Sequence, residues 1–173
     1  MKKVAFIAVI LVSPVVLLLL SQEFTYVGAS KCQICHKTES QGLQYPIWQK
    51  SKHSASFGAL NSPDAAFIAQ GAGLQNPPEN PACLKCHAPL FEKAPELKAE
   101  GVTCEVCHGP GSEYKKLSIM KDRVAATKNG LVVYESQDAT RRQCLTCHEN
   151  AHGISFDFVA GYQKIKHPKP EAK

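Results

Sequence analysis

Strand-like text is scarce in this 173-residue chain. Residues 131–134 (Leu-Val-Val-Tyr) are the one credible candidate, which excludes a sandwich or barrel and leaves a mostly α class with extended loops. There is no low-complexity segment and no repeat of constant period, so neither a biased tract nor a solenoid accounts for the chain. Methionine is nearly missing: beyond the initiator only Met120 remains. Neither sign of charge dominates. The formal net charge is +5, and beyond Leu20 the chain has 18 basic against 15 acidic residues, a net +3. That balance is no electrostatic footprint for nucleic acid. Finally, no cysteine stands alone.

All eight cysteines fall in four pairs of identical spacing, and a histidine follows each pair at once: Cys32/Cys35/His36, Cys83/Cys86/His87, Cys104/Cys107/His108 and Cys144/Cys147/His148. In an exported chain Cys-x-x-Cys-His reads as covalent attachment of c-type haem. The two thiols add across the haem vinyl groups to give thioethers, and the adjacent imidazole becomes the proximal iron ligand. A lone Cys-x-x-Cys would fit a thiol redox motif, and two would fit zinc. Four identical copies with no cysteine left over favour haem, and they imply four covalently attached haem c groups. Eight haem propionates would more than offset the small positive charge.

The N-terminus supports export. Lys2 and Lys3 precede an apolar run, residues 4–20, broken only by Ser13 and Pro14. As a helix this run spans about 25 Å, slightly short of a hydrocarbon core near 30 Å. Residues 1–21 are therefore read as a Sec-type signal peptide or an N-terminal membrane anchor, with the paired lysines cytoplasmic and the rest on the periplasmic or exported side. Residues 22–173 form one tetrahaem cytochrome c domain, soluble or tethered by its N-terminus. Its 152 residues allow 38 for each haem. So thin a chain cannot build separate side-chain cores, so the haems, packed close together, become most of the core.

Short helices punctuated by Pro and Gly are expected. Pro46 opens one carrying Trp48 and His53. Ser62 caps another, with Pro63 at its first position and Gly71 as its stop. Ser112 caps a longer helix whose stripe of Tyr114, Leu117, Met120 and Val124 ends near Asn129-Gly130. Asp138 caps the helix that delivers the fourth motif.

Seven histidines serve four irons with eight axial positions. After His36, His87, His108 and His148, only His53, His152 and His167 remain as distal ligands. At least one haem therefore lacks a distal histidine from this chain. Met120 lies on an apolar stripe and reads as packing rather than ligation.

The runs TYVGASKCQICHKTE, YPIWQKSKHS, ACLKCH, GVTCEVCHGPGSEYKK, IMKD and FDFVAGYQKIKHPKP, in this order, resemble the cytochrome c-554 family. That family is the tetrahaem electron carrier associated with hydroxylamine oxidoreductase, with its wider relatives. The resemblance covers residues 25–170. It implies closely stacked haems, His53 and His167 as distal ligands, three irons held by two histidines, and one iron lacking a second protein ligand. It puts that open position at the second motif, opposite His87. The function expected is electron transfer between redox protein partners, by a carrier rather than an enzyme. Two alternatives stand behind it: reduction of a small molecule such as nitric oxide at an open haem, and a filament subunit that donates a histidine to its neighbour. The filament needs a surplus histidine, and the count shows a deficit.

Overall fold

The computed structural model describes residues 23–168. The expected signal or anchor lies outside them. Among the described residues no helix is long and apolar enough to cross a membrane, and there is no strand. The helices are short. In the first half lie α1 (Ala29–Gln33), α2 (Gln44–Gln49), α3 (Ser56–Ala59) and α4 (Pro63–Gly71). The motif helices α5 (Pro81–His87) and α6 (Cys104–His108) follow. The chain then forms α7 (Leu117–Met120), α8 (Arg123–Lys128), α9 (Gln137–His148) and α10 (Phe158–Ile165).

Local sequence chemistry explains several boundaries. Ser62 caps α4 as expected, its hydroxyl accepting from the Ala65 amide at 3.1 Å, with Pro63 at the first position. Pro46 sits inside α2, which starts two residues earlier at Gln44, and His53 lies in the turn beyond it. The cap of α9 is Ser136, which accepts from Ala139 N; Asp138 belongs to the first turn instead.

Two expectations fail for identifiable reasons. The long helix from Ser112 is broken, because the Asp122 carboxylate accepts from Val124 N and Ala125 N and starts α8 afresh. Ser112 instead pairs with Thr25, its amide donating to the Thr25 carbonyl and its hydroxyl accepting from the Thr25 amide. The intended apolar stripe consequently splits: Tyr114 is buried, whereas Leu117 and Val124 are exposed. The strand at residues 131–134 does not form either. A lone extended segment has no ladder partner, and Val132 N donates to the His108 carbonyl at 2.9 Å instead.

The side-chain core is thin and built of small residues. Its main cluster is Leu60, Leu84 and Ala88, packed by Phe57, Cys83 and Phe91. Glu105 is the largest fully buried side chain among the described residues. Polar bonds do much of the fastening. The Trp48 indole donates to the Val102 carbonyl at 2.8 Å. The Ser56 hydroxyl accepts from the Val102 amide and lies 2.7 and 2.8 Å from the His53 and His87 carbonyls, donating to that pair. Gly101 makes this node possible. Its φ is +65°, and a Cβ there would press on Ser56 Oγ and come within 2.6 Å of the His53 carbonyl.

Two substitutions test this reading. Gly101→Ala should cost at least about 2 kcal/mol in denaturant unfolding, because positive-φ strain and the lost approach act together. Ser136→Ala should cost about 1 kcal/mol, against a few tenths for Asp138→Ala, if Ser136 is the cap.

Candidate haem-binding site

Each Cys-x-x-Cys-His closes about one helical turn. Positions i, i+3 and i+4 of a helix share one face, so both thiols and the imidazole are presented together. Helices α5, α6 and α9 all end on their motif histidine. The first motif starts in α1, and the His36 amide still donates to the Cys32 carbonyl at 3.0 Å.

The three remaining histidines each meet a different motif histidine. Ring centres are 6.1 Å apart for His53 and His148, 6.2 Å for His87 and His152, and 6.0 Å for His108 and His167. Two imidazole nitrogens about 2 Å from a shared iron put their ring centres about 6 Å apart. The donor set thus fits haem iron between each pair. Burial lowers the pKa of His53, His108, His148 and His167, with the paired ring adding to the effect at His53 and His108. That favours the neutral imidazole, the form that binds metal. Among the described residues no group of three or more His, Cys, Asp or Glu is arranged to hold a bare ion.

Among the described residues His36 is the one histidine with no such ring pair, although it lies near enough to His108 and His167 to help lower the pKa of both. Its Nδ1 is buried without a hydrogen-bond partner among the described residues. At His87, by contrast, Nδ1 is 2.9 Å from the Ser56 carbonyl, the kind of contact that fixes the tautomer and ring orientation of a metal ligand. A Phe156 ring stacks on His148, centres 4.4 Å apart and planes 17° apart.

The motifs also approach one another. A hydrogen bond with Cys104, together with burial, pushes the Cys32 thiol far above its usual range. Burial and the neighbouring Cys147 push Cys86 up to about 11. Burial pushes Cys107 to about 11 as well, with Cys144 contributing. The first motif is therefore beside the third, the second beside the fourth, and the third near the fourth. The third is also the most heavily pinned. Tyr114 donates to the Gly109 carbonyl, Tyr134 to the Cys107 carbonyl, and Gln143 to the Val106 carbonyl.

The open position was expected opposite His87, yet the His152 ring lies 6.2 Å from the His87 ring, and the motif histidine with no such ring pair is His36. His152 comes from a tight turn, residues 151–153, whose left-handed backbone is not legible as a motif. Glu105, Ser56 and Phe156 were missed. A glutamate between the two cysteines of the third motif and ahead of the Gly109-Pro110-Gly111 turn was the available signal for the first of these.

The sequence model of the family described as cytochrome c554 and c-prime matches residues 31–109, a span holding the first three motifs and His53. Cytochrome c-554 of Nitrosomonas europaea is 26% identical over 171 residues, an alignment covering 89% of this chain and 70% of that protein. No solved structure matches the chain. With four Cys-x-x-Cys-His turns and their imidazoles arranged as above, the chain is similar to the family of cytochrome c554 and c-prime over its first three motifs and to that cytochrome c-554 along most of its length.

Proposed function

We propose that this chain is a periplasmic tetrahaem cytochrome that passes electrons between redox protein partners. The eight cysteines Cys32, Cys35, Cys83, Cys86, Cys104, Cys107, Cys144 and Cys147 are the attachment points, and His36, His87, His108 and His148 the proximal ligands. His53 is the distal ligand opposite His148, His152 opposite His87, and His167 opposite His108. Residues 1–21 act as the export signal or tether and residues 22–173 as the haem domain. The observation that carries this reading is selective pairing: three spare histidines meet three different motif histidines, all at 6.0–6.2 Å. His152 adds support, because it keeps a left-handed backbone (φ 55°, ψ 28°), a strain of order 1 kcal/mol for a residue that is not glycine.

The bound haems supply reversible one-electron iron chemistry. The chain's own part would be to hold the four groups close together and to offer two imidazoles to each of three of them, which would leave no ligand position there for a substrate. A filament has no support in this arrangement, since no histidine is left to donate. The reductase reading has one observation in its favour, the unpaired His36. It would also need a proton donor at that position.

Electron paramagnetic resonance of the oxidised holoprotein should show about one high-spin ferric haem in four. His152→Ala should add a second. If the open position were opposite His87, that substitution would leave the high-spin fraction unchanged. A finer test uses ring orientation. The His87 and His152 planes are 64° apart, against 42° and 47° for the other pairs. More perpendicular ligand planes bring the iron d orbitals closer in energy. The low-spin signal with the largest g value should therefore be the one that His152→Ala abolishes.

A further inference from the structure

We propose that Glu105, assisted by Glu100, is a positioning residue that also holds a fixed negative charge between the first and third attachment turns and thereby lowers the reduction potentials of the haems held by His36 and His108. The inference rests on the haem assignment above. Glu105 is 1% exposed, and all its polar contacts are made by backbone amides. Val27 N donates to both carboxylate oxygens at 3.0 Å, Gly28 N to Oε2 at 2.8 Å, and Gly111 N to Oε1 at 2.7 Å. Both oxygens accept, so the bonding fits the ionised carboxylate; a protonated acid or an amide would turn a donor against an N–H. Glu100 does the same on the other side, its Oε2 accepting from Ala29 N at 2.9 Å and from the Thr103 hydroxyl at 2.8 Å.

The backbone is shaped for these two groups. A Cβ at Gly111 would lie 2.9 Å from Glu105 Oε1, and one at Gly28 would lie 2.8 Å from Glu100 Oε1. Gly28 also has φ +84°. Glycine at both places lets amides approach where a side chain would block them. The charge is uncompensated: the ion pairs among the described residues are Lys98–Glu79, Lys116–Glu113 and Arg123–Glu135, none of which involves Glu105 or Glu100. Amides stabilise the negative charge without cancelling it. Glu105 adjoins Cys104 in the chain, and Cys104 lies against Cys32, so the charge sits beside both attachment turns in surroundings of low polarity, where Coulomb terms are screened least. A fixed negative charge favours ferric over ferrous iron.

The test is an optical and paramagnetic redox titration of the holoprotein with dithionite, comparing wild type with Glu105→Gln, Glu105→Asp and Glu100→Gln. At the potential where wild type is half reduced, Glu105→Gln should raise the reduced-to-oxidised ratio of two haems about tenfold, or about 59 mV for one electron. One of the two should be the haem that gives the high-spin signal. Glu105→Asp keeps the charge while shortening its reach, so it should lower thermal stability and leave the potentials near wild type. Were Glu105→Gln to fail to assemble, Glu100→Gln decides the matter, with a rise of about threefold in the same two haems. Unchanged potentials in the assembled variants, or an equal shift in Glu105→Asp and Glu105→Gln, overturn the inference. A wild-type protein with no high-spin signal faults the haem assignment instead, and the optical titration still counts whether two of four potentials rise.

Discussion

One turn of helix must present two thiols and an imidazole on the same side, and this requirement sets the grain of the whole chain. The turn has to stop once the histidine is delivered. Hence α5, α6 and α9 end on His87, His108 and His148, and the next residue leaves helical space: Ala88 at φ −151°, Gly109 at φ 76°, Glu149 at ψ 103°. Helices that stop so early cannot offer long apolar stripes to one another. The side-chain core shrinks accordingly to alanines, a few leucines and Tyr114.

Buried polar bonds take over what apolar packing leaves undone. A backbone amide or carbonyl removed from water must find a partner or cost about 1–3 kcal/mol. Here those obligations are met by side chains that link distant segments: Trp48 to Val102, Ser56 to His53, His87 and Val102, Tyr134 to Cys107, Glu105 to Val27, Gly28 and Gly111. Such bonds have direction, which dispersion lacks. That suits a molecule that must hold imidazoles at fixed separations with little ordinary core to set them.

The split between what was legible in the sequence and what was not follows the range of the interactions. The Cys-x-x-Cys-His turns need only five consecutive residues, and the Ser62 cap needs four; both could be read directly as local structure. The α9 cap was misplaced by two residues because Ser136 and Asp138 are each good capping types, and the choice between them depends on backbone geometry. The helix expected from Ser112 failed because Asp122 offered a competing local bond and Thr25 a remote one. Pairing of histidines is more remote still. His152 lies 65 positions from His87, and nothing local announces that a turn of residues 151–153 will point back to the second motif. The count of seven histidines against eight positions was sound arithmetic, yet it said nothing about which position goes without.

On the proposed assignment, the two ends of the molecule are tuned by different chemistry. The second and fourth motifs lie together and are served by His53 and His152, with Ser56 fastening both His53 and His87. The first and third lie together over two ionised glutamates, and there the supply of imidazole falls short, at His36. These features oppose each other at one iron. Losing a distal imidazole removes a strong donor and raises the potential, while an unpaired buried carboxylate lowers it. His36 Nδ1, buried without an acceptor, also lacks the second-shell bond that would make its ring a stronger donor, which adds to the rise. The Glu105 and Glu100 charges counter that rise. They keep a haem with fewer protein ligands from becoming so easily reduced that an electron arriving there would stay.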